Sequence, residues 1–241
     1  MGAAIEAGMM EPDRCSRCRR TAVAHQPYSG RALCTEHLVR DVESRTKRTL
    51  RQQAGLRHGD RVGVLAPGGP YGEALLVFFS RQFAARRDLA LVALVPGGAP
   101  PPVLPEGLEA AAIGDEDPYG AARRLGCSLL ALPATLEERA ADVLGAVLAG
   151  RPAALAGPAA RGGLRAVRPF EHIPGLELRL YLAALTGAPP APEPPSSAAP
   201  FEVFVADELA RHTAGHPSAP FALVRLADTL ATLVSGEPDR C

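Results

Sequence analysis

From Asp60 onward, apolar positions switch repeatedly between short continuous runs and stretches of helical period. Arg61–Ala66 (RVGVLA) predicts a strand that runs into PGGPYG and then into an apolar helix over Glu73–Arg87. Leu89–Val95 (LALVALV) is apolar at every position, as a parallel strand covered on both faces must be. Pro118–Leu125 predicts a helix and Ser128–Leu132 a third strand. In Leu136–Leu148 the apolar residues recur at helical spacing (Leu136, Ala140, Val143, Leu144, Val147). Leu176–Leu185, Phe201–His212 and Phe221–Val234 predict further helices. Strands alternating with helices imply an α/β fold with a doubly wound, mostly parallel sheet. Ahead of it, Glu36 to Gly55 reads as one helix with a strongly basic later half. Two Pro/Gly-rich stretches, Pro96–Gly107 and Thr186–Pro200, read as surface loops.

The amino-terminal segment follows a different logic. Cys15, Cys18, Cys34 and His37 form a C-x2-C-x15-C-x2-H pattern. A thiolate pair at that spacing reaches one ion from a tight turn, and the second pair completes a tetrahedron. The pattern predicts a small module folded around structural Zn2+, about one ion per chain, with no open coordination position for chemistry. The mixed Cys/His set favours zinc over iron in this reading. Tyr28 is placed to shield the site with its ring.

Composition adds the bounds. The 241 residues can bury one substantial core plus a small appended module. No apolar run reaches the roughly 20 residues of a membrane span, so no membrane partner is expected. The start (MGAAIEAGMMEPD) lacks a basic region followed by an apolar stretch, so no secretory leader is expected. Five cysteines, four of them outside any plausible disulfide framework or committed to metal, fit a reducing cytoplasm. Net charge is zero, but residues 14–61 carry twelve basic side chains against four acidic ones, a local +8 balanced by −8 elsewhere. A basic module on an acidic body suggests a polyanion partner, nucleic acid above all. Arg45, Lys47, Arg48 and Arg51 on the basic helix are the candidate phosphate contacts. His212 and His216, four residues apart, are separated by a Gly-Pro helix end and are weak metal ligands.

In an open α/β sheet, ligands bind beyond the carboxyl ends of the strands. The turn after the first strand holds Gly68 and Gly69, which permit backbone N–H groups to face a phosphate. Its flanks do not help. Pro67 and Pro70 have no N–H, and Tyr71 and Gly72 bring neither a carboxylate nor a small hydroxyl.

Taken in order, the Cys/His module, the basic helix, GDRVGV and the Gly-Gly turn resemble the N-type ATP pyrophosphatases that thiolate tRNA. This is the cytosolic 2-thiouridine synthetase type of PP-loop protein. Downstream, VRPFEHIPGLELRLYLAALTG (167–187) is similar to a family stretch in which Ile173, Pro174, Glu177 and Tyr181 match. The resemblance spans residues 14–235 and implies a HUP-like, PP-loop ATPase-like α/β domain. The chain itself reads as a disordered tail (1–13), a zinc module (14–39), a basic connecting helix (40–59), the α/β domain (60–235) and a second tail (236–241).

The departures from the family shape the expected function. The family's Ser-Gly-Gly-x-Asp-Ser loop reads Pro67-Gly68-Gly69-Pro70-Tyr71-Gly72 here, a vestigial phosphate loop that weighs against ATP–Mg2+. The family's Gly-His-Asn becomes Pro133-Ala134-Thr135, and its Asp-Asp-Glu becomes Glu137-Glu138-Arg139. The cysteine-bearing segment that handles sulfur is missing, so no Fe–S cluster is expected; Cys127 reads as a core thiol. Losing one preorganised donor commonly lowers a rate on the order of 10²- to 10³-fold, and several are lost. The expected function is a non-catalytic tRNA-binding or partner subunit, working beside an active paralogue as a heterodimer or as a homodimer. The alternative is an active ATP-dependent tRNA sulfurtransferase with an atypical ATP site that uses Gly68, Gly69, Glu137 and Glu138.

Overall fold

A computed structural model describes residues 14–83, 85–98, 102–151, 155, 163–194 and 199–235. The expected tails, 1–13 and 236–241, lie outside the described residues, as do parts of both Pro-rich loops. The chain opens with an antiparallel hairpin, β1 (Ala24–Gln26) and β2 (Arg31–Leu33), paired Ala24 to Leu33 and Gln26 to Arg31. Its turn closes at Gly30, whose φ of +66° suits glycine and whose N–H donates to the Gln26 carbonyl. Helix α1 (Thr35–Gln53) follows at once and buries Leu38, Val42, Thr46, Thr49 and Leu50 on one stripe. The turns of its exposed side carry the basic residues that the sequence shows.

Five parallel strands form the body: β3 (Arg61–Leu65), β4 (Ala90–Pro96), β5 (Glu109–Gly114), β6 (Leu129–Ala131) and β7 (Arg165–Val167). Their order is β5-β4-β3-β6-β7. The chain therefore winds one way from β3 and the other way from β6, which makes the β3/β6 junction the topological switch point. Helices α2 (Gly69–Phe83), α3 (Pro118–Arg124), α4 (Leu136–Leu148), α5 (Gly175–Thr186), α6 (Pro200–Gly215) and α7 (Ala219–Ser235) complete the order. Side chains alternate across the sheet. Val62, Val64, Ala93, Leu129 and Ala131 pack with α1, α2 and α5, whereas Val92, Leu94 and Leu130 pack with α3 residues on the other face. Cys127 lies in that second layer, buried, with burial pushing its thiol up, in line with the core reading. The larger layer also takes in Cys15, Leu33, Cys34 and Leu38, so module and body share one core. Helices α6 and α7 pack on α4.

Two strands escape the sequence pattern. β5 (EAAAIG) is an edge strand rich in Ala and mostly exposed, and β7 has three residues; their pairing with β4 and β6 makes them strands. Helix α2 starts at Gly69, four residues before the predicted Glu73, because Pro70 at its second position is already set to helical φ. No described helix is long and apolar enough to cross a membrane.

One polar knot ties the end of α1 to the sheet. Asp60 is buried; its Oδ1 accepts from Ser128 Oγ at 2.6 Å and Arg165 Nη2 at 2.5 Å, and its Oδ2 accepts from the Arg57 N–H at 2.6 Å. Arg165 also donates to the carbonyls just past α1, those of Ala54 and Gly55. Burial raises the Asp60 pKa, but the bonds from Ser128, Arg165 and the Arg57 N–H outweigh it, so the net shift is downward. A carboxylate with a lowered folded pKa stabilises above its unfolded value of about 3.9 and loses that contribution as pH falls through the folded value. Asp60→Asn is expected to lower stability by about 2 kcal/mol at pH 7 and by progressively less below about pH 4. Urea titrations at both pH values check this.

Candidate functional site

Three regions carry chemistry. The first is the metal centre. Cys15 and Cys18 lie on one tight turn, with the Cys18 N–H donating to the Cys15 carbonyl at 3.2 Å. Cys34 occupies the cap position of α1, and His37 sits in its first turn. The two half-sites meet: Cys15 Sγ is 3.4 Å and Cys34 Sγ 3.3 Å from His37 Nδ1, and Cys18 Sγ is 3.6 Å from Cys34 Sγ. All four ligand atoms lie within 4.8 Å of one another. Bonds of about 2.3 Å to sulfur and about 2.0 Å to nitrogen put tetrahedral ligands roughly 3.5–3.8 Å apart, so the set fits one ion with little movement. Burial pushes the Cys15 thiol up, but backbone N–H groups of Cys34, Arg17 and Cys18 overcome this and bring its pKa down to about 6. Cys18 moves up: an N–H from Arg20 favours its thiolate, but burial and the neighbouring thiols of Cys34 and Cys15 prevail. Three thiols at this range ionise together only around a cation.

The second region is the switch point. β3 leaves the sheet through Pro67 and turns at Gly68 (φ +86°) and Gly69 (φ +77°) into α2. The amino termini of α2, α4 and α5 converge here. Tyr71 on α2 is buried and donates from its hydroxyl to Glu193 Oε1 at 2.6 Å; Glu193 also pairs with Arg179 at 3.0 Å. Tyr71 lies so close to α5 that a Cβ on Gly175 would meet its hydroxyl at 2.5 Å. Glu137 Oε2 accepts the Gly175 N–H at 2.9 Å, across from α4 to the start of α5. Glu138 closes a capping box with Thr135, at 2.8 Å and 3.2 Å. Burial pushes both carboxyls up. The positive ends of α4 and α5 are thus met by the chain's own carboxylates.

The third region is a groove of about 830 Å3 between the hairpin turn, α1 and α7. Of the four basic residues expected to meet phosphate, Arg45 and Arg48 line it, Arg51 is exposed but not part of the lining, and Lys47 is half-buried. The Arg45 guanidinium is held by partners within the protein. Its Nη1 meets Glu177 Oε2 at 2.8 Å and Tyr28 Oη at 2.9 Å, and its other nitrogen donates to the His172 carbonyl. Tyr28 therefore serves this network, donating to Glu177 Oε1 at 2.6 Å, and does not shield the metal centre. The groove gains Arg31, Phe221 and Arg225, two of them from α7, which lies some 180 residues from α1 in sequence. Only an amphipathic pattern marked α7 beforehand. His212 and His216 stack at 4.6 Å at the exposed end of α6, with no third ligand among the described residues.

Residues 14–39 match the family described as "2-thiouridine synthetase TtuA, N-terminal LIM domain". Among solved structures, the chain is similar to the U34-tRNA thiolase NcsA from Methanococcus maripaludis with its [4Fe-4S] cluster. The TM-score is 0.75 at 19% identity, covering 95% of this chain and 90% of that one. The family model covers the amino-terminal module alone, residues 14–39. At 19% identity the structural likeness is one of fold, and no curated protein sequence matches.

The structural likeness corrects one expectation. The reading that excluded an Fe–S cluster does not stand, because a protein of this fold carries a [4Fe-4S] cluster. The physical reason is that soft thiolates select iron–sulfur centres as well as zinc, so the Cys15, Cys18, Cys34 and His37 set is a ligand set for either. Zinc alone was too narrow an assignment.

Proposed function

We propose that this chain is a tRNA-binding subunit of the thiolation family that does not itself activate a carbonyl with ATP. One observation carries the reading: at the switch point, Tyr71 is buried in the first turn of α2 with its hydroxyl on Glu193, and Glu137 takes the Gly175 N–H at the start of α5. A nucleotide would have to displace a buried phenol and would meet two carboxylates, while Pro67 and Pro70 offer it no N–H. Cys127, the one described thiol outside the Cys/His set, is buried with its pKa raised by that burial, which leaves it a poor nucleophile. NcsA is a thiolase of U34 in tRNA, and its fold together with the basic amino-terminal third supports tRNA as the partner. Catalysis would then fall to a paralogue with an intact loop. The metal module folds the tRNA-facing end around zinc or an iron–sulfur centre.

The alternative, an active sulfurtransferase, has one observation in its favour. Gly68 and Gly69 both keep left-handed φ at the start of a helix. Calorimetric titration with ATP–Mg2+ decides between the two. The expected result is no heat, together with tRNA retention on a filter that falls steeply between 50 and 200 mM salt, as phosphate contacts require. Micromolar ATP binding, or tRNA-dependent release of pyrophosphate, sinks the proposal.

A further inference from the structure

We propose that the groove between the hairpin, α1 and α7 holds an unpaired stretch of RNA, phosphates on Arg31, Arg48 and Arg225 and a base against Tyr28 and Phe221. The inference rests on the tRNA-binding reading and locates its site. The arginines of the groove fall into two classes. Arg17 and Arg45 share Asp41, Arg40 pairs with Glu36, and Arg45 also holds Glu177. Arg31, Arg48 and Arg225 have no carboxylate partner among the described residues, although they come from three separate elements, β2, α1 and α7. Against them stands Asp228, which is half exposed and 3.8 Å from His172. Burial holds the His172 pKa down, although Asp228 opposes this, and Arg45, Arg139 and Arg225 add to the lowering. Unpaired guanidiniums facing one concavity repel each other and favour an anion.

The floor adds a second requirement. Tyr28 and Phe221 lie 4.5 Å apart between centroids, backed by the Arg45 guanidinium at 5.6 and 5.9 Å from their rings. A rigid aromatic pair beside arginines is the platform on which a splayed base stacks. Duplex RNA keeps its bases inside and offers such a floor nothing. The start of α7, with Phe221 in its first turn and Ser218 just before it on the groove, adds the positive end of a helix. At about 830 Å3 the groove exceeds what one inorganic phosphate fills and falls within the roughly 300–1,000 Å3 of ligand sites.

The test uses the full chain and fluorescence anisotropy with labelled bulk tRNA over a salt series. Arg31→Gln/Arg48→Gln/Arg225→Gln is expected to weaken binding on the order of 10-fold or more and to reduce the salt slope by about 2, at roughly 0.7 per single-strand phosphate. Phe221→Leu, which keeps an apolar side chain but removes the π face, is expected to weaken binding about 5-fold or more with little change in slope. A charge-matched control, Arg87→Gln/Arg123→Gln/Arg151→Gln, alters exposed arginines that do not line the groove and should bind like the parent, apart from a small long-range effect. Thermal midpoints confirm that each variant is folded. Equal losses in the groove and control variants overturn the site while leaving tRNA binding intact. Duplex RNA or millimolar inorganic phosphate competing as well as tRNA also overturns it. No binding by the parent chain removes the tRNA reading itself.

Discussion

Changing Cys15 and Cys18 together to Ser is expected to strip the bound metal and unfold the amino-terminal third of the chain. Two three-residue strands and a tight turn do not hold together alone in water. The 26 residues of the module fall well short of the roughly 40 at which small domains need a metal, a disulfide or a partner. For such modules, metal binding is folding: apparent binding energies run to about 10–16 kcal/mol for structural zinc at neutral pH. The damage should spread, because Cys15 and Cys34 share a core with Leu38 and Val42 of α1 and with the sheet. Loss of several kcal/mol in a chain of this size lowers Tm on the order of 10 °C or more. Elemental analysis for zinc and iron, with hydrogen exchange over residues 14–53, reads both effects. The same measurement decides which metal the site takes. Metal content and Tm equal to those of the parent would show that Cys34 and His37 with other groups suffice, against the geometry described.

Arg45→Met should be the most damaging change outside the metal ligands, lowering stability by about 3–5 kcal/mol. Glu177 has 5% of its side chain exposed and collects three donors: Gln26 Nε2 at 3.1 Å, Tyr28 Oη at 2.6 Å and Arg45 Nη1 at 2.8 Å. These bind the hairpin, α1 and α5 into one unit. Methionine keeps most of the stem packing but leaves a buried carboxylate without its cation. Burial already holds the Glu177 pKa above the usual carboxylate value, although Arg45, Tyr28 and Gln26 oppose it. Removing Arg45 raises it further. A raised folded pKa means that the folded state holds the proton more tightly, so stability is lost as pH rises from the unfolded value of about 4.3 through the folded one. The deficit of the variant should therefore be greatest at neutral pH and shrink below about pH 5. Paired urea titrations of Arg45→Met and Arg45→Met/Glu177→Leu test the cause, since the double variant should recover much of the loss. A deficit that is the same at pH 4.5 and pH 7.5, with no recovery in the double variant, would falsify the role of the buried charge.

These two sites differ in how they could be read beforehand. The C-x2-C-x15-C-x2-H spacing names its four ligands because each pair is local and the chain between them forms one hairpin. The basic stripe on α1 is equally visible, yet the stripe alone does not say that Arg45 faces inward. Its counter-charge, Glu177, lies 132 residues away. The sequence placed Gly68 and Gly69 at a turn. That Glu137 reaches the Gly175 N–H, and Tyr71 the Glu193 carboxylate, follows from three helices meeting, which no local period encodes.

By itself, then, the order of residues determined the candidate metal-ligand set, the apolar runs of β3 and β4, the helices with a clean 3.6-residue stripe and the uneven charge. Those features depend on neighbours within a turn or two. Tertiary structure decided the rest. It made strands of the Ala-rich β5 and the short β7 by giving them partners. It separated a buried arginine from exposed ones, joined Arg225 to Arg31 and Arg48 around one groove, and filled the switch point with a phenol and carboxylates. Each of these is a long-range pairing, set by which faces the winding of the sheet brings together.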